Sequence, residues 1–321
     1  MTPTEPRATD QRTVLVLTHT LRPHARDVAQ ACIEALTSHG IAVQLLAEEA
    51  DALDVGAASA TGLVEVIPGD SAGAGCELVL VIGGDGSILR AAELTRGSGA
   101  PLLGVNLGHV GFLAEAEEDD AESTIAAIVD RRYTVEERLT LDVRVLRDKE
   151  VVTSTFALNE ASVEKAARER MLEVVVEIDG RPLSRWGCDG VVCATPTGST
   201  AYNFSAGGPV VWPAVEALLM VPLSAHALFA RPMVVAPSSV MAVEVIADTE
   251  GSGVLWCDGR RAVDLPPGAR IEVRRGEEPV TLVRLHAAPF TDRLVAKFDL
   301  PVDGWRGAAE RRRRDGGEPD A

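Results

Sequence analysis

Lysine is nearly missing from this chain: in 321 residues it occurs only at Lys149, Lys165 and Lys297. No G-x-x-x-x-G-K-[ST] phosphate loop is present, and no G-x-G-x-x-G dinucleotide fingerprint either. Positive charge is short overall, with 31 Lys plus Arg against 48 Asp plus Glu and a formal net charge of −17. An acidic surface of that kind has nothing to offset a phosphate backbone, which disfavours a nucleic-acid role. The five cysteines (Cys32, Cys76, Cys188, Cys193, Cys257) are odd in number, scattered and never arranged C-x-x-C. This argues against a disulfide framework or a zinc ribbon and fits a reducing compartment. No apolar run approaches the ~18 residues of a membrane helix. The first ten residues contain no hydrophobic signal core, so a soluble cytoplasmic protein is expected. What is present is an ordinary globular mixture, 46% hydrophobic and 25% charged, long enough for two domains.

Residues 1–12 are polar with two prolines and read as a flexible arm. Residues 13–17 read as a buried strand. A helix follows over 23–39 with Gly40 at its end, and 41–46, 77–82 and 101–105 read as further strands. Helices over 87–94 and 121–131 complete an alternation that predicts an α/β domain with a parallel sheet over 13–134. After residue 135 the pattern changes to short strand-like runs at 141–146, 151–158, 172–178, 191–194, 234–245, 253–257 and 271–274. Residues 214–220 alone have a helical look. A β-rich second domain is expected over 135–289, and a disordered tail, carrying Arg311 to Arg314, over 307–321.

Two segments carry chemistry. Gly83-Gly84-Asp85-Gly86-Ser87 follows the apolar strand at 78–82 directly. Ligands of open α/β sheets bind at the carboxyl ends of strands, where the next helix offers unpaired N–H groups to an anion. The glycines let the backbone approach a phosphate. A carboxylate there would repel phosphate, so Asp85 has to bind a cation or accept a proton; the bland alternative is a plain strand-to-helix turn. The second segment, residues 187–209, leaves a strand at Thr195-Pro196 and enters a run of small hydroxylated and glycine residues around Tyr202. Such a run offers many donors with little bulk, suiting a ribose or phosphate. Asn159-Glu160, at the end of an apolar strand, could read an adenine edge and a ribose. Gly69-Asp70-Ser71-Ala72-Gly73 matches the hydrolase G-x-S-x-G elbow, but it lacks the preceding strand and following helix that the elbow requires. His109 and His226 have no spaced metal partner.

Taken together, Gly83 to Ser87, the run 104–113, Leu158-Asn159-Glu160, Cys188-Asp189-Gly190, the T-P-T-G-S-T-A-Y segment 195–202 and Ser205 to Pro209 resemble the NAD kinase family in order and approximate spacing. The G-G-D-G loop is shared with diacylglycerol- and sphingosine-kinase-like enzymes; the 195–202 segment looks specific to NAD kinases. The resemblance implies a Rossmann-like N-terminal domain, a β-rich C-terminal domain and a segment at 290–306 returning to the first. It implies transfer of a phosphoryl group from ATP or polyphosphate to the 2′-hydroxyl of NAD's adenosine ribose. Asp85 would be catalytic, with Gly83, Gly84, Gly86 and Ser87 cradling phosphates. Asn159 and Glu160 would hold the adenosine of NAD, and Asp189 its nicotinamide part from the same or a neighbouring subunit. Thr200, Ala201, Tyr202, Asn203, Phe204 and Ser205 would line the adenine and ribose pocket. Arg90, Arg170 and Arg260 would contact the ligand. Mg²⁺ or another divalent cation would arrive with the phosphate donor, with no all-protein metal cage, and the family likeness implies a homodimer or homotetramer. A lipid or small-alcohol kinase sharing the G-G-D-G loop and a non-catalytic NAD(P) sensor are the competing readings.

Overall fold

The structure, a computed structural model, describes residues 11–107, 111–117, 121–168, 170–249, 251–286 and 289–302. Strands β1 (Thr13–Thr18), β2 (Ala42–Leu46), β3 (Val64–Ile67), β4 (Leu78–Ile82) and β5 (Leu102–Asn106) run parallel. They alternate with helices α1 (Pro23–Ser38), α2 (Ala47–Ala52), α3 (Gly56–Ser59) and α4 (Asp85–Leu94). A two-residue β6 (Ala116–Glu117), helix α5 (Ala121–Val129) and β7 (Thr134–Arg138) complete this run. β4 and β5 are buried at every position, because helices cover both faces of the sheet and leave no polar side to alternate. Each large aliphatic side chain enclosed there contributes about 1.5–3 kcal/mol. Helix α1 starts with Pro23, whose missing N–H costs nothing at a first turn, and stops where Gly40 takes a φ of 74°.

The order of the first sheet, β3-β2-β1-β4-β5, places β2 and β4 on opposite sides of β1. The chain therefore winds outward in both directions from the β1–β4 pair, and the crevice beyond their carboxyl ends is where such sheets bind ligands.

The second domain is a sandwich of two six-stranded antiparallel sheets. In chain order its strands are β8 (Leu141–Arg147), β9 (Glu150–Ala157), β10 (Glu160–Lys165), β11 (Leu172–Ile178), β12 (Arg181–Cys188) and β13 (Gly190–Ala194), then, after a short helix α6 (Tyr202–Ser205), β14 (Leu218–Leu223), β15 (Met233–Val235), β16 (Met241–Val245), β17 (Gly253–Cys257), β18 (Arg261–Leu265) and β19 (Arg270–Arg275). Alternation along β8 and β11 turns Leu141, Val143, Val145, Val174 and Val176 inward against Val163, Val191 and Leu255 of the facing sheet. β13 is buried on both sides. Val191 and Cys193 enter the sandwich, while Val192 and Ala194 pack beneath Ala206 and Val211.

The chain then returns. β20 (Val280–Arg284) inserts beside β5 in the first sheet with β7 antiparallel on its far side, and α7 (Phe290–Phe298) follows. The return thus begins at Val280 rather than at residue 290, and β7 crosses the expected boundary at 134. Residues 214–220 are not a helix. Leu218 to Val221 are almost fully enclosed between β13 and β15, and a short apolar run covered on both faces has no period to distinguish strand from helix. The run 234–245 is two strands, split by a turn in which Ser239 donates to Ala236. Arg12, expected in a flexible arm, is anchored: it donates to Glu77 at 2.7 Å and to the Val129 carbonyl at 2.7 Å. Residues 1–10, His109 and the tail at 307–321 lie outside the described residues, as do residues 303–306 of the expected returning segment.

Candidate active site

The turn from β4 into α4 carries Asp85 at the first helical position. Gly83 has a φ of 150°, and a Cβ there would sit 2.3 Å from the Ser87 Oγ, so only glycine fits. Gly84 caps the helix with no side-chain hydrogen bond, and while the Ser87 N–H turns back to the Gly84 carbonyl at 2.9 Å, the N–H groups of Asp85 and Gly86 open the helix toward a ligand. They border a cleft of about 410 Å³ beyond the ends of β1 and β4, where Gly84, Gly86 and Ser87 meet His19, Arg22, Arg90 and Arg260. Arg90 does line this cleft, but its guanidinium is held by Glu49 and Glu48, each at 2.8 Å. Arg260 reaches the cleft from the second domain and pairs with Glu93 of α4 at 3.1 Å.

The Asp85 carboxylate is fixed from the side opposite its helix. It accepts the backbone N–H of Phe112 at 3.0 Å and that of Leu113 at 3.1 Å, one on each oxygen. Gly111 is the close approach that permits this, since a Cβ there would lie 2.4 Å from Asp85 Oδ1.

Asn159 and Glu160 follow Leu158, which packs in the same core as Ile88 of α4 and Leu113. Their backbone is organised by Asp258, buried at the β17–β18 hairpin. Its carboxylate accepts from the N–H of Leu158 at 3.0 Å, from that of Asn159 at 2.7 Å and from Arg261 at 2.8 Å. The turn over Thr197–Thr200 presses on the same point, for a Cβ on Gly198 would lie 2.0 Å from the Asn159 carbonyl oxygen. Glu160 is buried; it accepts from the backbone N–H of Tyr202, and its Oε2 has no partner. Burial, with Asp258 and Glu164 adding repulsion, pushes its carboxyl up to about 8. Burial and the fields of Glu164, Glu160 and Asp189 also raise the Tyr202 hydroxyl. The result is a cluster of polar groups, the Asn159 amide, the Glu160 carboxyl and the Tyr202 hydroxyl, able to exchange hydrogen bonds with the hydroxyls and amines of a nucleoside.

The fold therefore gathers Asp85, Asn159, Glu160 and Tyr202 about the domain junction, with Asp189 within electrostatic reach of Tyr202. Asp189 is half-exposed and pairs with Lys165 at 2.6 Å. Phe204 extends the group through Phe298 of α7, whose ring centre is 4.6 Å away, to Phe112 at 5.9 Å. Thr200 is partly buried, its hydroxyl donating to the Thr197 carbonyl at 3.3 Å; Ala201 is partly buried and Ser205 exposed. Asn203 points the other way: it is fully buried and its amide donates to the carbonyls of Ser199 and Pro209. Hydroxyls expected to meet the ligand are partly consumed as well. Thr195 donates to the Leu158 carbonyl at 2.6 Å, and Ser199 to that of Val211 at 3.1 Å. Arg170 lies exposed before β11. Among the described residues no group of three or more His, Cys, Asp and Glu is placed to hold a metal ion. No helix among them is long and apolar enough to cross a membrane.

Asp258 carried a signal that sequence reasoning missed: Asp258-Gly259 between two alternating runs is a hairpin turn, and both residues take positive φ. The backbone donors of Phe112 and Leu113, and His19 after β1, carried no side-chain signal of this kind.

A mixed α/β domain with a glycine-rich turn at its switch point, joined to a β-sandwich that brings Asn159, Glu160 and Tyr202 to the junction, defines a two-domain nucleotide-binding fold. Residues 14–133 match the family described as the ATP-NAD kinase N-terminal domain, and residues 158–285 the ATP-NAD kinase C-terminal domain. The chain is 61% identical over 308 residues to the NAD kinase of Thermobifida fusca, covering 95% of this chain and 94% of that one. It is 60% identical over 300 residues to NAD kinase 2 of Streptomyces avermitilis, covering 94% and 98%. Its fold is similar to that of yeast NADH kinase complexed with NADH, with a TM-score of 0.81 at 22% identity over 94% of each chain. An NAD kinase from Archaeoglobus fulgidus in complex with ATP superposes with a TM-score of 0.67 at 24% identity, over 91% of this chain and all of that one. The chain belongs to the NAD kinase family, and it is a phosphotransferase that acts on an alcohol group.

Proposed function

We propose that the protein transfers the γ-phosphoryl group of ATP to the 2′-hydroxyl of the adenosine ribose of NAD, giving NADP and ADP. The observation that carries this reading is the Asp85 carboxylate, locked by the Phe112 and Leu113 N–H groups at the first turn of α4, beside glycines that border the cleft. In the proposed mechanism the phosphates lie along Gly83, Gly84, Gly86 and Ser87 at the α4 N-terminus. The nucleoside rests by Asn159, Glu160 and Tyr202, with Thr200, Ala201, Phe204 and Ser205 on the pocket wall. The ribose 2′-oxygen attacks the γ-phosphorus in line, its proton passes to Asp85, and the bond to the β,γ-bridging oxygen breaks as ADP leaves. Positioning does most of the work, which is why a carboxylate fixed from two sides matters.

Mg²⁺ would be held chiefly by phosphate and water: Glu48, the carboxylate that lines the cleft, has Oε1 engaged by Thr20 at 3.1 Å and Oε2 by Arg90 at 2.8 Å. Bound with the donor, the ion would neutralise charge on the transferring group. Arg22, Arg90 and Arg260 are the arginines at hand, so the chain's −17 charge makes local donors, not long-range steering, responsible for anion binding. The half-exposed Asp189 is available to a nicotinamide of its own or a neighbouring subunit, in a cytoplasmic homodimer or homotetramer.

The test is NADP formation from NAD, Mg²⁺ and ATP, read by an NADP-specific dehydrogenase, beside Asp85→Asn. Asparagine would set an NH₂ or a single oxygen against two N–H donors and cannot accept the proton. Turnover should fall by roughly 10²–10⁴-fold with NAD binding retained. Parallel arms with polyphosphate and with NADH identify the donor and acceptor preferred. A variant as active as the parent would remove Asp85 from the chemistry, and binding of NAD without turnover by the parent would favour a sensor.

A further inference from the structure

A larger cavity, of about 620 Å³, shares no lining residue with the α4 cleft and lies between β7, β20, α7 and the loop at Trp212. Strand alternation turns Thr134, Glu136 and Arg138 of β7 toward it. Arg131 and Arg132 come from the preceding turn, Arg284 from β20 and Arg293 from α7. Trp212 and Phe290, in edge-to-face contact at 5.3 Å, form an apolar wall.

The charges do not balance. Glu136 is shared by Arg138 at 3.0 Å and Arg284 at 2.8 Å. Glu115, almost fully buried, is shared by Arg284 and Arg293. Asp130 takes Arg132 at 3.1 Å, and Glu77 takes Arg131 at 3.1 Å while already holding both donors of Arg12. Among the described residues, six guanidinium groups thus share the four carboxylates of these pairs, two more cations than anions, in a chain of net charge −17. Arg138 shows the consequence most clearly. Its side chain is 6% exposed and its Nε has no hydrogen-bond partner. Burial, together with repulsion from Arg284 and Arg293, pulls it down to about 10 despite the adjacent Glu136. A buried, under-satisfied cation is costly unless an anion completes it.

We infer that this cavity is a second anion-binding site, separate from the α4 cleft, for a ligand carrying two or more closely spaced phosphate or carboxylate groups. Planar guanidinium forks match either oxyanion, and their partners here leave donors to spare. The aromatic wall admits an apolar portion of the ligand without demanding one.

The experiment is calorimetric titration of the full chain with inorganic tripolyphosphate and, in a separate arm, citrate, at fixed ionic strength. Both are run in a Gly86→Asp background, which puts a negative charge in the α4 cleft where the structure leaves open space around Gly86. Binding should persist in that background and weaken roughly tenfold or more on adding Arg138→Gln or the rim change Arg132→Glu. The stronger arm identifies the phosphate or the carboxylate source. Arg132 is 63% exposed, so its variant keeps the test decisive if Arg138→Gln does not fold. Absence of binding in the Gly86→Asp protein, or binding untouched by both cavity changes, overturns the inference.

Discussion

The Arg293 guanidinium of α7 donates to the Ala114 carbonyl at 2.7 Å. Its other contacts are the Phe112 carbonyl and the buried Glu115 carboxylate, which also accepts the N–H groups of Leu285 and His286. Phe112 and Leu113 in turn hold Asp85, so the last helix braces the loop that fixes the reactive carboxylate. Arg293→Met keeps the aliphatic stem and removes the donors. Glu115 retains Arg284, so the cost should be about 1–3 kcal/mol rather than that of an orphaned buried charge. Urea unfolding should show this loss, and kcat should fall while the KM for NAD moves less. A stable variant with parental kcat would show that the loop holds its place without α7.

Glu160 gives the site a pH dependence whose sign is fixed. Burial pushes its carboxyl up to about 8 in the folded protein, against about 4.5 for a free glutamate side chain. Between those values the folded state binds a proton that the unfolded chain has released. Its contribution therefore favours folding below about 4.5, is lost progressively as pH rises through 8, and is flat beyond. Glu160→Gln keeps the shape without the charge and should stabilise the protein at pH 8 by on the order of 2 kcal/mol relative to the parent. A nucleoside hydroxyl donating to Glu160 would favour the ionised form, so NAD binding at pH 7 should release a proton. Calorimetry in buffers of different ionisation enthalpy reads this directly. Proton uptake by the parent, or equal release by the Gln variant, would exclude a ligand contact at Glu160.

Asp258 is a framework residue for the same pocket. The N–H groups of Leu158, Asn159 and Glu160 and the Arg261 guanidinium converge on its buried carboxylate, and removing it leaves those N–H groups without this acceptor. Asp258→Ala should cost about 2–4 kcal/mol and raise the KM for NAD more than it lowers kcat. Asp258→Asn, which keeps one acceptor oxygen and loses the charge beside Glu160, should recover part of the stability and bring the Glu160 carboxyl down from about 8. An unchanged proton release by the Asn variant would count against that coupling.

The two ends of this site differ in how far they can be read from sequence. The Asp85 turn is local: an apolar strand, a glycine-rich turn and a helix occupy adjacent residues, and the alternation of the first domain fixes its place at the switch point. The Asn159–Glu160 end is not local. Its organiser, Asp258, lies 100 residues from Leu158, and no spacing rule links them. The run 195–202 reads as donor-rich in sequence, yet which donors face a ligand depends on Leu158 and Val211 being nearby to consume Thr195 and Ser199. The strand at 218–223 and the return of β20 at Val280 eluded periodicity because both are short runs whose partners come from distant segments.

Gly111 tests the central geometry with the smallest change available. Its φ lies outside the left-handed region, and the nearest obstruction is Asp85, whose Oδ1 would lie 2.4 Å from the new methyl. Either the carboxylate turns or the loop retreats, and in both cases the hydrogen bonds to Phe112 and Leu113 lengthen. Gly111→Ala should therefore lower kcat by roughly 10–100-fold, the scale expected of a misplacement of about 1 Å, with the thermal midpoint close to that of the parent. Gly86→Ala is the counterpart, since its Cβ enters open space at the mouth of the α4 cleft. It should raise the KM for the phosphate donor and leave kcat nearer the parent's. If Gly111→Ala turned over normally, a rigidly held Asp85 would not be what sets the rate.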